Sequence, residues 1–388
     1  MVIPHRLSLF VLAVSLAMIS AAAMAKPTTD NDKPGGGYLQ TNLVSDLPGI
    51  AQLQDTNLVN PWGISFSATG PFWISANGSG LSTLYAVTND AGGRPHVVKQ
   101  GLEVAIPGDG VPTGQLFDGT GSFNGDIFIF AGEDGTISGW RPALGGAAEL
   151  LVSRTNAVYK GITLVTIKGN KKGNNGHGGN PGKSTLTPLL MLANFGEGTV
   201  DIYDTNMTLT QISDPTVPAG YAPFNVQNIG GTVFVTFAKQ NDEKHDDVAG
   251  IGHGLIDVID MKKGKFHRFA AGSDAGGKLA SINSPWGVAL APKSFGEHRD
   301  ELLVGNFGSG TIMAFGPGGN FRGLLEDTND VAISIEGLWG LSFGNDGNAG
   351  VADALYFTAG VNGEADGLLG SIVPAFPKER KDKDKDGQ

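Results

Sequence analysis

The chain predicts an all-β fold, a six-bladed β-propeller of four-stranded blades closed by an N-terminal strand that completes the last blade. Three observations carry this reading. Two alternating apolar runs joined by a Gly- and Asn-rich turn recur at residues 302–315 and 189–203, and more loosely at 72–86; each reads as a β-hairpin. Six short openings precede such runs: Pro61-Trp62-Gly63, Pro112-Thr113-Gly114, Tyr159-Lys160-Gly161, Pro223-Phe224-Asn225, Pro285-Trp286-Gly287 and Leu338-Trp339-Gly340. Their separations of 51, 47, 64, 62 and 53 residues match propeller units once two long insertions are removed. Third, glycine supplies 60 of 388 residues, about twice the usual share, which suits many short strands joined by tight turns.

Taken in order, the chain begins with a basic start ending at Arg6, an apolar run over 7–23 and a small-x-small site, Ala23-Met24-Ala25. Residues 1–25 read as a secretory signal peptide, because the run is short for a membrane span and a cleavage site follows it. Residues 26–37 hold no apolar residue that could be buried, apart from the ring carbons of two prolines, and read as a disordered linker. Residues 38–46 form one strand with no hairpin partner beside it. The propeller occupies 38–374, and 375–388 is a charged, disordered tail.

In each blade the opening starts an inner strand, and the second and third strands follow at 72–86, 127–140, 189–203, 233–259, 302–315 and 355–372. Fourth strands follow at 95–98, 148–152, 208–212, 265–269 and 321–325. The sixth blade has none, so the orphan strand 38–46 supplies it from the other end of the chain, removing the open edges. One insertion, residues 168–183, is rich in Gly and Asn and reads as a surface loop. The other, residues 239–254, extends the hairpin of blade 4 and carries the acidic run 242–247, which reads as a solvated tip.

The openings Pro-Trp-Gly-Ile and Pro-Trp-Gly-Val with the hairpin at 302–312 resemble NHL-type repeats. More narrowly, residues 60–65, 193–196 and 354–360 resemble a family of exported bacterial six-bladed propellers of unknown function. That resemblance implies the fold and export and hands over no catalytic residues; NHL propellers in general imply binding of proteins, RNA or glycans.

A formal net charge of -11 argues against nucleic acid and anionic membranes as partners, and the expectation is an exported, periplasmic or extracellular monomer without a membrane anchor. The absence of cysteine removes thiol catalysis and thiolate metal sites. No two of the seven histidines stand at zinc-ligand spacing, and the chain has neither a Gly-x-Ser-x-Gly elbow nor a phosphate loop.

Trp62, Trp286 and Trp339 share one repeat position, so the fold brings them around the central channel, either to stack on a sugar or aromatic ligand or to pack between blades. Asn77, Asn194 and Asn306 repeat after a second strand, where an Asn either builds the turn or lines a ligand face. Calcium is the one cofactor with any footing. Glu336 is the acid nearest an opening, and Asp346, Asn348 and Asp353 lie around glycines as in a calcium loop; residues 382–387 imitate half an EF-hand loop but lack its closing Glu. These features predict a binding or scaffold module for a protein or glycan. A calcium-dependent hydrolase of lactone, ester or phosphoester bonds, working in the channel, is the competing reading.

Overall fold

The computed structural model describes residues 36–168, 186–272 and 282–375. The leader, nearly all of the linker, the insertion beyond Lys168 and the tail from 376 lie outside the described residues.

Six antiparallel sheets make the six blades. Inner strands run over Pro61–Ser65, Pro112–Phe117, Tyr159–Lys168, Tyr221–Ile229, Pro285–Leu290 and Leu338–Phe343, and we number blades 1 to 6 in that order. Each pairs outward in turn with its second, third and fourth strands, as the repeats require. Blade 1 has a longer outer strand than the sequence suggests, Pro95–Ala105. Blade 6 is closed by Tyr38–Ser45, antiparallel to Asp366–Pro374 in a register from Tyr38↔Pro374 to Ser45↔Leu368. That sheet gains an unexpected fifth strand, Leu53–Gln54, parallel to the closing strand. The closing strand is also tied to blade 5: the Tyr38 hydroxyl donates to Phe295 O at 3.0 Å and accepts from His298 N at 3.2 Å.

The alternating strands bury their apolar faces between blades. One apolar layer lies between each successive pair, such as Phe295, Leu303 and Ile312 of blade 5 against Leu338, Leu355 and Phe357 of blade 6. Another lies between Met191 and Val200 of blade 3 and Val226 and Val235 of blade 4. At roughly 25 cal/mol per Å² of apolar surface removed from water, these layers can hold a cysteine-free chain together.

The openings explain themselves at the axis. Every inner strand breaks register at its opening, between Pro61 and Ile64, Pro112 and Gln115, Tyr159 and Gly161, Pro223 and Asn225, Pro285 and Val288, and Leu338 and Leu341. Such bulges bend a strand, here bringing each third opening residue close to the next blade. A Cβ on Gly114 would sit 2.7 Å from Ile162 N, and one on Gly340 2.6 Å from Trp62 O, so only glycine lets these backbones approach. In blade 4 the position is Asn225, whose Nδ2 donates to Trp286 O at 2.8 Å. This collar leaves a cavity of only about 40 Å³, far below the roughly 300 Å³ of a small-molecule site.

Candidate functional site

The residue before each collar position forms a second ring: Trp62, Thr113, Lys160, Phe224, Trp286 and Trp339. The three indoles meet on the axis. Trp62 and Trp339 stack with centroids 3.4 Å apart, and Trp286 meets them edge-on at 6.1 and 5.8 Å. Phe195, Phe224 and Phe307 complete a plug, with Phe307 stacked on Trp339 at 4.0 Å. At 2 %, 4 % and 1 % exposure, Trp62, Trp286 and Trp339 pack on one another, rather than presenting open faces or wedging between blades. Two of their N–H groups are bonded, Trp286 Nε1 to Lys160 O at 2.9 Å and Trp339 Nε1 to Asn60 Oδ1 at 3.1 Å. Trp62 Nε1 is buried without a partner.

Lys160 holds the equivalent place in blade 3 and is 2 % exposed. Its ammonium lies over the Trp62 and Phe195 rings, 5.2 and 5.9 Å from their centroids. Burying an ammonium is costly unless it is paired. The pairs come from other blades: Glu133, on the hairpin of blade 2, takes a direct ion pair, and Asp246 Oδ1, on the blade 4 insertion, lies 3.5 Å away.

The insertion reaches the axis by folding back on itself. Gln240 bridges Asp247, Asn241 N donates to Asp246 O at 2.8 Å and Val248 N to Lys239 O at 2.7 Å. His245 Nδ1 lies 2.8 Å from Asp246 Oδ1. The hairpin of blade 6 adds Glu364, which accepts from Asn60 Nδ2 at 2.8 Å, and Asn77 of blade 1 donates to Glu133 Oε2 at 2.9 Å. Ser284, before blade 5, is fully buried. Its hydroxyl lies beside the Asp247 carboxylate and favours its charge. Asn60 and Ser284, immediately before two of the openings, hold φ of 44° and 47°, a region that non-glycine residues visit rarely.

Four carboxylates, Glu133, Asp246, Asp247 and Glu364, thus face one ammonium at the channel mouth. Burial pushes Glu364 above the ordinary carboxyl range against its hydrogen bond from Asn60, and the charge of Glu133 adds to the rise. Burial likewise raises Asp247 against the pull of Ser284 and Lys160. Burial acts in the same sense on Asp246, but the hydrogen bond with His245 and the charge of Lys160 outweigh it and hold this acid below its usual value.

Of the other residues singled out by sequence, Asn194 and Asn306 stand outside this group. Asn194 Nδ2 donates to Glu197 and Asp201, at 2.8 and 3.1 Å, and its Oδ1 accepts from Val158 N and Glu197 N. Asn306 Oδ1 accepts from Asn283 N at 3.0 Å, and its Nδ2 donates to Thr311 O at 3.2 Å. Glu336 is at the mouth face, accepting from Gly363 N at 2.9 Å beside Glu364. Asp346, Asn348 and Asp353 lie between the inner and second strands of blade 6, hence at the opposite face. There Asp346 accepts from Ala352 N at 2.7 Å, Asn348 pairs through its backbone with Thr69 and Val87, and Asp353 accepts from Ser294. Glu133, Lys160 and Glu364 were not proposed as ligand contacts from sequence, and His245, Asp246 and Asp247 lie in the run 242–247, whose oxygen ligands and one imidazole could take calcium but which read as a solvated tip. One signal was available: Lys160 is the only charged residue among the six openings.

These features define a six-bladed propeller with a plugged axis and an acidic mouth. No family model matches the chain. Among known proteins it is similar to two of Acanthamoeba polyphaga mimivirus. It is 26% identical to "Uncharacterized protein R648", over 85% of this chain and 78% of that one, and 25% identical to "Uncharacterized protein L690", over 85% and 84%. These relatives are viral, whereas the sequence resemblance pointed to bacteria. Among solved structures it is similar to an auxiliary nutrient binding protein from Bacteroides ovatus, with a TM-score of 0.50 and 12% identity over 87% of this chain and 77% of that one, a likeness that shows the fold alone. No helix among the described residues is long and apolar enough to cross a membrane.

Proposed function

We propose that the protein is a binding module and that its ligand, a protein or glycan presenting a cationic or hydroxyl-rich group, sits on the acidic mouth. The observation that carries this reading is the convergence of Glu133, Asp246, Asp247 and Glu364, from three different blades, on the buried Lys160. An indole plug under that group and the glycine collar below it leave a surface to dock on rather than a channel to enter. Carboxylates and amides in a fixed ring suit hydroxyl and ammonium groups. Export belongs to the same proposal and rests on the leader pattern of residues 1–25; mass spectrometry of the exported protein is expected to find Lys26 at its N-terminus.

The test is binding of the purified chain to immobilised glycans and to Lys- or Arg-bearing peptides, in parallel with the double variant E133Q/D246N. Saturable binding that weakens tenfold or more in the double variant supports the mouth. Binding indifferent to both substitutions, or no binding to either class, overturns it. A calcium-dependent hydrolase keeps one observation in its favour, a group of three residues at the mouth with metal-ligating atoms. A melt in EDTA and then in millimolar calcium tests it, since a ligand specific to the folded state raises the midpoint; without a calcium-dependent rise this second reading falls.

A further inference from the structure

We propose that Asp126 with Glu149, and Asp257 with Asp214, are two proton-sharing carboxyl pairs that make the outer strands of blades 2 and 4 pH-sensitive: each closes on a shared proton and repels when it leaves. One arginine clamps each pair. In blade 4, Asp257 stands on the third strand, Gly254–Asp260, and Arg268 on the fourth, Lys265–Ala271. Arg268 Nε pairs with Asp257 Oδ1, and its Nη2 lies 3.4 Å from Oδ2 of Asp214, on the loop that enters the blade. In blade 2, Arg141 Nη1 pairs with Asp126 Oδ1 at 2.8 Å and with Glu149, the first residue of the fourth strand, Glu149–Ser153. Each cluster therefore sets two negative charges against one positive charge, and Asp126 and Asp257 are fully buried. Like charges in so dry a place cannot both ionise without cost.

The second observation is a missing donor. Asp201 takes in blade 3 the repeat position of Asp257, in Gly198-Thr199-Val200-Asp201 against Gly254-Leu255-Ile256-Asp257. It accepts from Arg154, Tyr159, Asn194, Thr199 and Gln211, as a buried carboxylate ordinarily does. Asp126 Oδ2 and Asp257 Oδ2 accept from no donor among the described residues. Each instead meets a carboxyl, Asp126 that of Glu149 and Asp257 that of Asp214. Two such acceptors bond only when one of them carries a proton. The charged groups facing Asp126 are Arg141 and Glu149, with Gly139 of the third strand at its other side, and those facing Asp257 are Arg268 and Asp214. Burial pushes both aspartates up to about 6 against the pull of their arginines, and the second carboxyl adds to the rise. The folded chain thus holds these two protons more tightly than the unfolded chain. Their contribution is fully present below the unfolded value of 3.8 and is lost as pH rises through about 6.

The experiment is a set of denaturant melts of the full chain at pH 7, 5 and 3 with D126N, D257N and, as the internal control, D201N. An asparagine imitates the protonated acid and can donate to the second carboxylate. D126N and D257N are each expected to lower the unfolding constant by about tenfold or more at pH 7, a gain that shrinks at pH 5 and vanishes near pH 3. D201N, whose carboxylate already has its donors, is expected to raise the unfolding constant at pH 7. A gain that stays constant with pH, or a loss at pH 7 in both pair variants, overturns the proposal. Two measurements on the wild type stand whether or not the variants fold. Carboxyl NMR is expected to find two aspartates still protonated at pH 5; none protonated there overturns the pairs. Amide exchange in Glu149–Ser153 and Lys265–Ala271, corrected for the intrinsic effect of pH, is expected to be faster at pH 7 than at pH 5; equal protection at both overturns the loosening of the outer strands.

Discussion

Around one ring of six equivalent positions, blades 5, 6 and 1 contribute Trp286, Trp339 and Trp62, while blades 2, 3 and 4 contribute Thr113, Lys160 and Phe224. The first half closes the axis by stacking indoles, each buried to 4 % exposure or less. The second half interrupts that packing. Phe224 still joins the plug, but Thr113 turns its hydroxyl to Tyr159 O at 2.7 Å, and Lys160 lays an ammonium over the Trp62 and Phe195 rings. Buried ion pairs are weak sources of stability compared with well-packed apolar groups, so the choice of Lys160 is better explained by what it meets above the plug than by folding. The difference teaches that one ring can serve closure on one side and recognition on the other. The collar directly below makes no such distinction, because five of its six positions are glycine.

The largest test of this division is Trp339→Ala against Thr113→Ala. Removing a fully buried indole costs about 3–5 kcal/mol, and Trp339 touches Trp62, Trp286, Phe224 and Phe307. Thr113→Ala removes the single hydroxyl donor that Tyr159 O shares with the more distant Ala131 O and is expected to cost about 1–3 kcal/mol, since both carbonyls are buried. Denaturant melts of the two variants check the ratio; equal losses would erase the contrast between the halves.

A smaller effect tests the symmetry of the collar. Gly114→Ala and Gly340→Ala lie under opposite halves of the plug, and each puts a Cβ within 2.7 Å of backbone in the next blade. Both are expected to lose about 1–3 kcal/mol through overpacking, and by similar amounts, measured by the same melts. A loss confined to Gly340 would mean that the plug, rather than the approach of the inner strands, sets the need for glycine.

The blades were legible in sequence because their signals are local. Alternation, the Asn-Gly hairpins and the opening at each bulge all lie within a few residues, and even the closing strand could be inferred from a missing fourth strand in blade 6. The tryptophans were legible as a set, though not their mutual stacking, which depends on how near the collar lets the strands come. The mouth was not legible, because Glu133, Asp246 and Glu364 sit on hairpins of three blades and meet only when the ring closes. The run 242–247 was read as a solvated tip. Asp242 and Glu243 are exposed, but the bridge from Gln240 to Asp247 folds the end of the run back over Lys160.

The finest contrast is between two mouth carboxylates whose proton affinities are shifted in opposite directions. Glu364, tied through Asn60 to Trp339, is raised above its ordinary 4.5, first by burial, while Asp246, beside Lys160, is lowered below 3.8 despite burial. The folded chain therefore holds the Glu364 proton more tightly than the unfolded chain does. Its contribution is fully favourable below the unfolded value and is lost as pH rises through the folded value. Asp246 has the reverse sign: its contribution is present above the unfolded value and is lost as pH falls through the folded one. E364Q, a permanent mimic of the protonated acid, is accordingly expected to stabilise the chain at pH 7 and to be neutral near pH 3. D246N is expected to destabilise at pH 7, by less than about 1 kcal/mol as befits an exposed partner, and to lose that effect toward pH 2. Denaturant melts of both variants at pH 2, 3, 5 and 7, with carboxyl NMR titrations of the wild type, read the two signs separately. If both variants shift stability in the same direction at pH 7, the division of the mouth into a desolvated side and an ion-paired side fails.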